Sequence, residues 1–114
     1  MAVSIKRIYE PASPADGTRI LVDRLWPRGV SKARARLALW MKEIAPTPEL
    51  RVWFGHSPER FGEFGRRYKK ELARNPALDA LRMLARSKRV TLLYGAHDPK
   101  INHAAVLQSI LRGR

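Results

Sequence analysis

Residues 20–29 of the chain read Ile-Leu-Val-Asp-Arg-Leu-Trp-Pro-Arg-Gly. The first half is an aliphatic run that is too short for a helix, and it predicts a buried strand. The polarity then changes at once, because an acid, two arginines, an indole ring and a Pro/Gly pair follow within seven residues. In open α/β sheets, ligands bind beyond the carboxyl ends of the strands. The stretch therefore predicts a strand followed by a loop that is held over a candidate site.

The bulk properties of the chain favour a single small domain that spans residues 1–114. An apolar content of 45% excludes a disordered chain, and no apolar run approaches the roughly 20 residues that span a bilayer. The first residues lack the apolar region of a signal peptide, because charges fall inside the first apolar stretch. Since the chain has no cysteine, it offers no disulfide and no thiolate metal site. We therefore expect a cytoplasmic protein with no membrane partner, no metal and no cofactor.

Hydrophobic periodicity divides the chain into strands and helices. The predicted strands cover residues 3–9, 19–24 and 90–94. Predicted helices run from 31 to about 44 and from 49 to 54, and further helices start at 57, at 75 and after 100. This order predicts an α/β fold, with a mostly parallel sheet of about three strands packed with four to five helices. The connection at residues 11–17 is shorter than a normal parallel crossover, so either a compact turn replaces a helix there or the first two strands are antiparallel.

Cap and breaker residues set the helix limits. Ser31 is a suitable N-cap for the helix that ends near residue 44, whose apolar face would hold Leu37, Trp40, Met41 and Ile44. Thr47 and Asn75 each precede a proline, which is the pattern of a helix start. The predicted third helix buries a stripe of aromatic and aliphatic side chains, at Phe61, Phe64, Tyr68 and Leu72.

The topology brings two loops together. A right-handed crossover would set the second and third predicted strands parallel. Their carboxyl ends, at residues 23–24 and 94–95, would then lie on the same edge of the sheet. We therefore expect Arg24 or Arg28 to lie near Tyr94 or His97.

The first loop predicts an anion site. Two converging arginines favour a carboxylate or phosphate, because the guanidinium group pairs with such anions through two parallel hydrogen bonds. Trp26 would wall the pocket, and Asp23 would either orient an arginine or form a salt bridge that ties the loop down. With polar residues of the second loop included, the candidate ligand-binding residues are Arg7, Asp23, Arg24, Trp26, Arg28, Lys32, Asp98 and Asn102.

The second loop carries the candidate catalytic residues, which are Tyr94, His97 and His103. A histidine could act there as a general acid or base, oriented by Asp98. The alternative is an ordinary helix start in which Asp98 and Pro99 form the cap and first turn. Metal binding is disfavoured because His97 and His103 are six residues apart. A third cluster, at residues 53–56, holds two adjacent aromatic rings, one of which could wall a pocket, and His56.

The formal net charge of +13 supports a rival function. Sixteen of the 23 basic residues are arginine, which suits phosphate contacts, although a compositional bias explains the charge equally well. One helix is predicted to carry a row of opposite charges that pair with one another, because Glu63, Arg67 and Glu71 follow at intervals of four residues. The remaining cations of that helix, Arg66, Lys69 and Lys70, are then unpaired. They are the candidates for a nucleic-acid-binding or regulatory module.

The motifs together resemble the domain-of-unknown-function family 488, in its short YeaO-like branch. The matching segments are Lys6-Arg7-x-Tyr9, residues 21–29, Trp53-Phe54-x-His56, Arg67-Tyr68, and residues 91–94 through 102–103. The resemblance spans nearly the whole chain and implies an α/β domain and a bacterial-type cytoplasmic protein. In the wider family, cysteines commonly stand where this chain has Tyr94 and Asn102, and an arginine where it has Ala104. The resemblance therefore implies neither thiol chemistry nor a second anion clamp here.

Overall fold

A four-stranded parallel sheet forms the centre of the computed structural model, which describes residues 2–113. The strands are β1 (Val3–Arg7), β2 (Thr18–Leu21), β3 (Leu39–Trp40) and β4 (Val90–Tyr94). Their order is β1-β4-β2-β3, and every neighbouring pair is parallel. The helices are α1 (Lys32–Ala35), α2 (Pro48–Phe54), α3 (Phe61–Leu72), α4 (Pro76–Ser87) and α5 (His103–Gly113). The predicted α/β fold is confirmed, with four strands where about three were expected.

Strand β4 lies inside the sheet because it can be buried on both faces. All five of its residues are buried, as expected for the continuous apolar run of a central parallel strand. Its middle residue, Leu92, pairs with Ile5 of β1 on one side and with Ile20 of β2 on the other. The predicted crossover between β2 and β4 is therefore parallel, as expected.

The connection from β1 to β2 is the compact turn and not an antiparallel hairpin. Both strands run parallel to β4, which lies between them. A single turn of 3-10 helix, Pro14–Asp16, replaces the usual crossover helix. Ser13 caps it, since the Ser13 side chain accepts a hydrogen bond from the Ala15 backbone N–H.

The predicted helix from residue 31 to about 44 is wrong beyond its first turn. Ser31 caps α1 as expected, accepting a hydrogen bond from the Arg34 backbone N–H. Arg36 then adopts a left-handed conformation with φ of 48° and ends the helix. Residues 39–40 instead form β3 and pair with Ile20 and Leu21. Free hydrogen-bonding groups on the edge of β2 therefore outweigh the local helical pattern.

The later helices follow their predicted start signals. Thr47 caps α2 and Asn75 caps α4, each through its side-chain oxygen. α3 begins after a 3-10 turn at Pro58–Arg60. Its expected stripe is buried at Phe64, Tyr68 and Leu72 and partly buried at Phe61. Within residues 2–113, no helix is long and apolar enough to cross a membrane.

The two faces of the sheet are covered very differently. Side chains of Val3, Ile20 and Leu92 point to a face where α2, α3, α4 and α5 all contribute to one large core. Leu21 and Leu93 point to the opposite face, because successive strand residues alternate. That second face is covered by α1 and the irregular segments around it, through Val30 and Ala35.

A buried ionic cluster lies under the turn between β1 and β2. The Asp16 carboxylate lies 3.1 Å from Lys6 Nζ and 2.6 Å from Arg19 Nη1. Arg19 is 5% exposed, and its Nε donates to the Ala35 carbonyl. Burial raises the pKa of Asp16, but hydrogen bonds from the Ser13 backbone N–H and from both cations outweigh it and hold the pKa below its ordinary value. The cluster therefore favours the ionised carboxylate.

We predict that Asp16→Asn lowers the free energy of unfolding by about 3 kcal/mol, because Arg19 then remains buried without its counter-charge. Urea denaturation at neutral pH measures this loss. Glu63→Gln is the matched control, since its carboxylate is also paired but lies at the surface. It should change stability little, and an equal loss in both variants would contradict the prediction.

The pH dependence of stability provides a second readout of the same group. Because the pKa of Asp16 is lower in the folded than in the unfolded state, its stabilising contribution is complete above about pH 4. The contribution is lost as the pH falls through the folded-state pKa. Stability curves of wild type and Asp16→Asn should therefore converge in acid, and curves that stay parallel would exclude this role.

Candidate functional site

The loops after β2 and β4 meet at the carboxyl edge of the sheet. The Gly95 backbone N–H donates a 2.9 Å hydrogen bond to Asp23 Oδ2. Glycine is favoured at position 95, because a Cβ there would lie 3.0 Å from the same oxygen. Arg24 and His97 line one cleft. The expected proximity of the two loops is therefore confirmed.

This cleft has a volume of about 510 Å³, within the range of small-molecule pockets. Its lining surface is largely apolar, and it also includes charged and polar side chains. All three histidines of the chain lie along it. The lining residues are Asp23, Arg24, Leu25, Ala45, Pro46, Arg51, Phe54, His56, Phe64, Gly95, Ala96, His97, Asp98 and His103.

Asp23 links β2, β4 and α5. Its side chain is 22% exposed, and its Oδ2 accepts the hydrogen bond from the Gly95 N–H. His103 Nε2 lies 3.2 Å from Oδ1 and 3.0 Å from the Val22 carbonyl oxygen, and only the second contact has hydrogen-bond geometry. Since a carbonyl can only accept, Nε2 carries the proton. The prediction that Asp23 pairs with an arginine is wrong, because within residues 2–113 no arginine forms an ion pair with it.

Two arginines give the cleft a positive side. Arg24 Nη2 donates to the carbonyl oxygens of Ala45 at 3.1 Å and Pro46 at 3.3 Å. No carboxylate in the described part of the chain lies within salt-bridge distance of Arg24, and its Nε is buried without a hydrogen-bond partner there. Arg51 projects from α2 and is exposed. The charge of Arg24 is therefore held at the cleft by dipoles and not neutralised.

His56 reaches the cleft through an unusual backbone. Gly55 ends α2 in a left-handed conformation, and His56 follows with φ of 57°. A non-glycine residue in this region costs on the order of 1 kcal/mol. The sequence shows His56 and Phe54 as part of an aromatic cluster, and the structure places both at the cleft. Arg51 was missed, because nothing near it in sequence indicates a site.

Several other candidate residues support the loop after β4. Arg7 Nε donates to the Ala96 carbonyl at 2.9 Å. Asp98 Oδ1 accepts from the backbone N–H groups of Lys100 and Ile101, which hold the Asp98 pKa below its ordinary value. Asn102 is 1% exposed, and its Oδ1 accepts from the Ala105 N–H, so it acts as the N-cap of α5.

Tyr94 lies in the core and not in the cleft. It is 1% exposed and belongs to the large cluster on the helical face. Burial raises the pKa of its phenol above the ordinary value. Of the three candidate catalytic residues, only His97 and His103 reach the cleft, and any catalytic role for them stays a prediction.

The remaining candidates of the first loop lie elsewhere. Trp26 packs with Trp40 on the second face, with ring centroids 5.3 Å apart, and its Nε1 donates to the Val30 carbonyl at 2.7 Å. Arg28 and Lys32 are exposed and do not line the cleft. Within residues 2–113, no three acidic, histidine or cysteine side chains are placed to hold a metal ion.

The charge row on α3 differs from the expected one. Arg66 is paired, at 2.6 Å from Glu63, and Arg67 shares the same carboxylate at 2.9 Å. Glu71 accepts instead from the backbone N–H and hydroxyl of Thr47. The expectation that Arg66 is unpaired is therefore wrong. Lys69 and Lys70 are exposed, and a nucleic-acid role for this helix stays a prediction.

The strands and helices define a small parallel α/β domain with a cleft at the carboxyl ends of its strands. The chain belongs to the domain-of-unknown-function family 488: residues 2–114 match the model described as the inactive DUF488-N3 subclade. Over 112 residues, it is 46% identical to uncharacterised proteins of Mycobacterium tuberculosis and Mycobacterium bovis, which covers 98% of this chain and 95% of each relative. It is 43% identical over 113 residues to the uncharacterised protein YeaO of Escherichia coli, which covers 98% of both. No solved structure matches the chain significantly.

We predict that Asp23→Asn lowers the free energy of unfolding by about 1–2 kcal/mol, because the Gly95 N–H then bonds to a neutral oxygen. Hydrogen exchange of the Gly95 amide should accelerate more than exchange of amides in α3. Asp79→Asn on α4 is the control, since this exposed carboxylate accepts no hydrogen bond in the part of the chain that the structure describes. An unchanged Gly95 exchange rate in Asp23→Asn would contradict the role of this bond.

Proposed function

We propose that the domain binds a small ligand that carries a carboxylate or phosphate on an apolar or aromatic body. One observation carries the proposal: two arginines and all three histidines surround a cleft whose walls are largely apolar. Pockets of this kind take up the apolar part of a ligand on their walls and orient it through a few polar groups.

The anionic group would face Arg24 and Arg51. Arg24 uses Nη2 for the two carbonyls that hold it, which leaves its Nη1 for a ligand. Arg51 is exposed on α2 and also lines the cleft. Both guanidinium groups are suited to the paired oxygens of a carboxylate or phosphate.

The apolar part of the ligand would contact Phe54, Phe64 and Leu25. Phe54 and Phe64 stack with centroids 4.2 Å apart and belong to the core, so this wall is rigid. Leu25 is 65% exposed, so its side chain is accessible to a ligand, and contact with it would remove apolar surface from water. His97 and His56 would supply polar contacts at the rim.

Binding without turnover is the function that we propose. The matching family model is described as inactive, and the chain has no cysteine. His103 donates through Nε2 to a backbone carbonyl, and this contact holds α5 against β2. In the proposal, His103 fixes the backbone at Val22, directly before Asp23 in the cleft lining.

We predict that phenyl phosphate binds at the cleft and perturbs the backbone NMR signals of Leu25, Ala96 and His97. Arg51→Ala should weaken binding about tenfold, because one charge-assisted contact is lost. Arg86→Ala on α4 is the matched control, since this exposed arginine does not line the cleft. Inorganic phosphate and phenol, each tested alone, should bind more weakly than phenyl phosphate.

Phenylacetate in parallel titrations decides between a phosphate and a carboxylate. Equal weakening by Arg51→Ala and Arg86→Ala would show that binding reports net charge and not the cleft. Chemical shift changes on α3 or α4 in place of the three loop residues would also overturn the proposal.

A further inference from the structure

All charged side chains in the segment from residue 24 to residue 42 are basic. It contains six arginine or lysine residues and no aspartate or glutamate. We call it the basic segment. It includes α1 and β3, and it covers the second face of the sheet, opposite the four longer helices.

The cations of the basic segment are available to a partner. Arg28, Lys32, Arg34, Arg36 and Lys42 are all exposed. Within residues 2–113 none of these five forms an ion pair. On α3, by contrast, Arg66 and Arg67 share the single carboxylate of Glu63, while Lys69 and Lys70 are exposed. In the described part of the chain, the basic segment therefore presents five exposed, unpaired cations with no acidic side chain among them.

Three aromatic side chains lie among these cations. Tyr9, Trp26 and Trp40 are partly buried and pack against the same small cluster on the second face. Arg7 Cζ lies 5.0 Å from the Tyr9 ring centroid, and Lys42 Nζ lies 5.0 Å from that of Trp40. Tyr9 and Trp40 are thus each joined to a cation, and all three rings remain partly accessible.

Tyr9 fixes the basic segment to the sheet. Its hydroxyl donates to the Arg28 carbonyl at 3.0 Å, and its own carbonyl accepts from Arg34 Nη2 at 3.4 Å. Tyr9 therefore contacts the backbone of Arg28 before α1 and the guanidinium group of Arg34 within α1. This arrangement of positive charge and ring faces is pre-formed and does not depend on a long flexible loop.

We infer that the second face binds single-stranded nucleic acid. Exposed cations neutralise phosphates, and partly exposed aromatic rings stack on unpaired bases, which is how sequence-tolerant single-strand sites are built. A duplex fits less well, because α1 has only four residues and cannot fill a major groove. This function is independent of the ligand proposed for the cleft.

The test uses the full chain and a fluorescent oligodeoxythymidylate of about 20 nucleotides at about 0.15 M salt. We expect a Kd tighter than the roughly 10⁻⁴ to 10⁻⁶ M of non-specific contacts. Arg28→Ala combined with Lys32→Ala should weaken binding about tenfold. It should also flatten the slope of log K against log salt by about 1 to 1.5, since each contact with single-stranded phosphate contributes about 0.7.

The matched control is Lys69→Ala combined with Lys70→Ala on α3. It removes the same charge from two exposed lysines on a different surface, so binding should change less than threefold. A second pair, Arg34→Ala with Lys42→Ala, repeats the test at independent positions of the basic segment. Circular dichroism of each variant establishes that the fold is retained.

Three outcomes would overturn the inference. Equal weakening by the two double variants would mean that net charge alone is responsible, and greater weakening by the α3 pair would assign binding to that helix. A matching duplex that binds as tightly as the single strand would exclude base stacking. Binding to vesicles of phosphatidylserine and phosphatidylcholine, with none to the oligonucleotide, would identify a membrane surface instead.

Discussion

The structure depends on the burial of β4 between two parallel neighbours. Because β4 pairs on both sides, its register fixes where β1 and β2 end: Arg7 lies opposite Tyr94, and Leu21 lies opposite Leu93. Three loops therefore leave the sheet side by side at one edge. The contact between Asp23 and the Gly95 N–H is possible only because this register brings the two loop starts within hydrogen-bond reach.

The predictable parts of the fold are those that residues close together in sequence determine. Thr47 and Asn75 cap helices because their side-chain oxygens satisfy backbone N–H groups two or three residues away. The run at residues 90–94 is too apolar for any position other than a buried strand. The predicted helix over residues 36–42 is wrong because the apolar spacing of this segment fits a helix. The edge of β2 offers backbone hydrogen-bond partners that no local sequence pattern reveals.

The site was only partly predictable for a related reason. The block at residues 20–29 contains residues for both faces of the sheet, so its side chains separate after the strand ends. Asp23 and Arg24 turn towards the cleft, while Trp26 turns towards the second face. Arg51 and His56 join the cleft from α2 and its end, and that contact depends on how the helix packs. The predicted charge row on α3 was wrong for the same reason. Glu71 accepts a hydrogen bond from Thr47, the N-cap of α2, which sequence spacing along α3 does not reveal.

Asp23 joins the two surfaces that these side chains form. Its carboxylate accepts from the Gly95 N–H on the cleft side, and its backbone carbonyl accepts from Trp40 Nε1 at 2.8 Å on the side of the basic segment. Trp40 in turn packs against Trp26 and lies under Lys42. Asp23 thus links the loop after β4 to the edge strand β3 through two hydrogen bonds. The stretch of sequence that marks the end of β2 is therefore a structural junction, and it contributes side chains both to the cleft and to the second face because it is fixed from both sides.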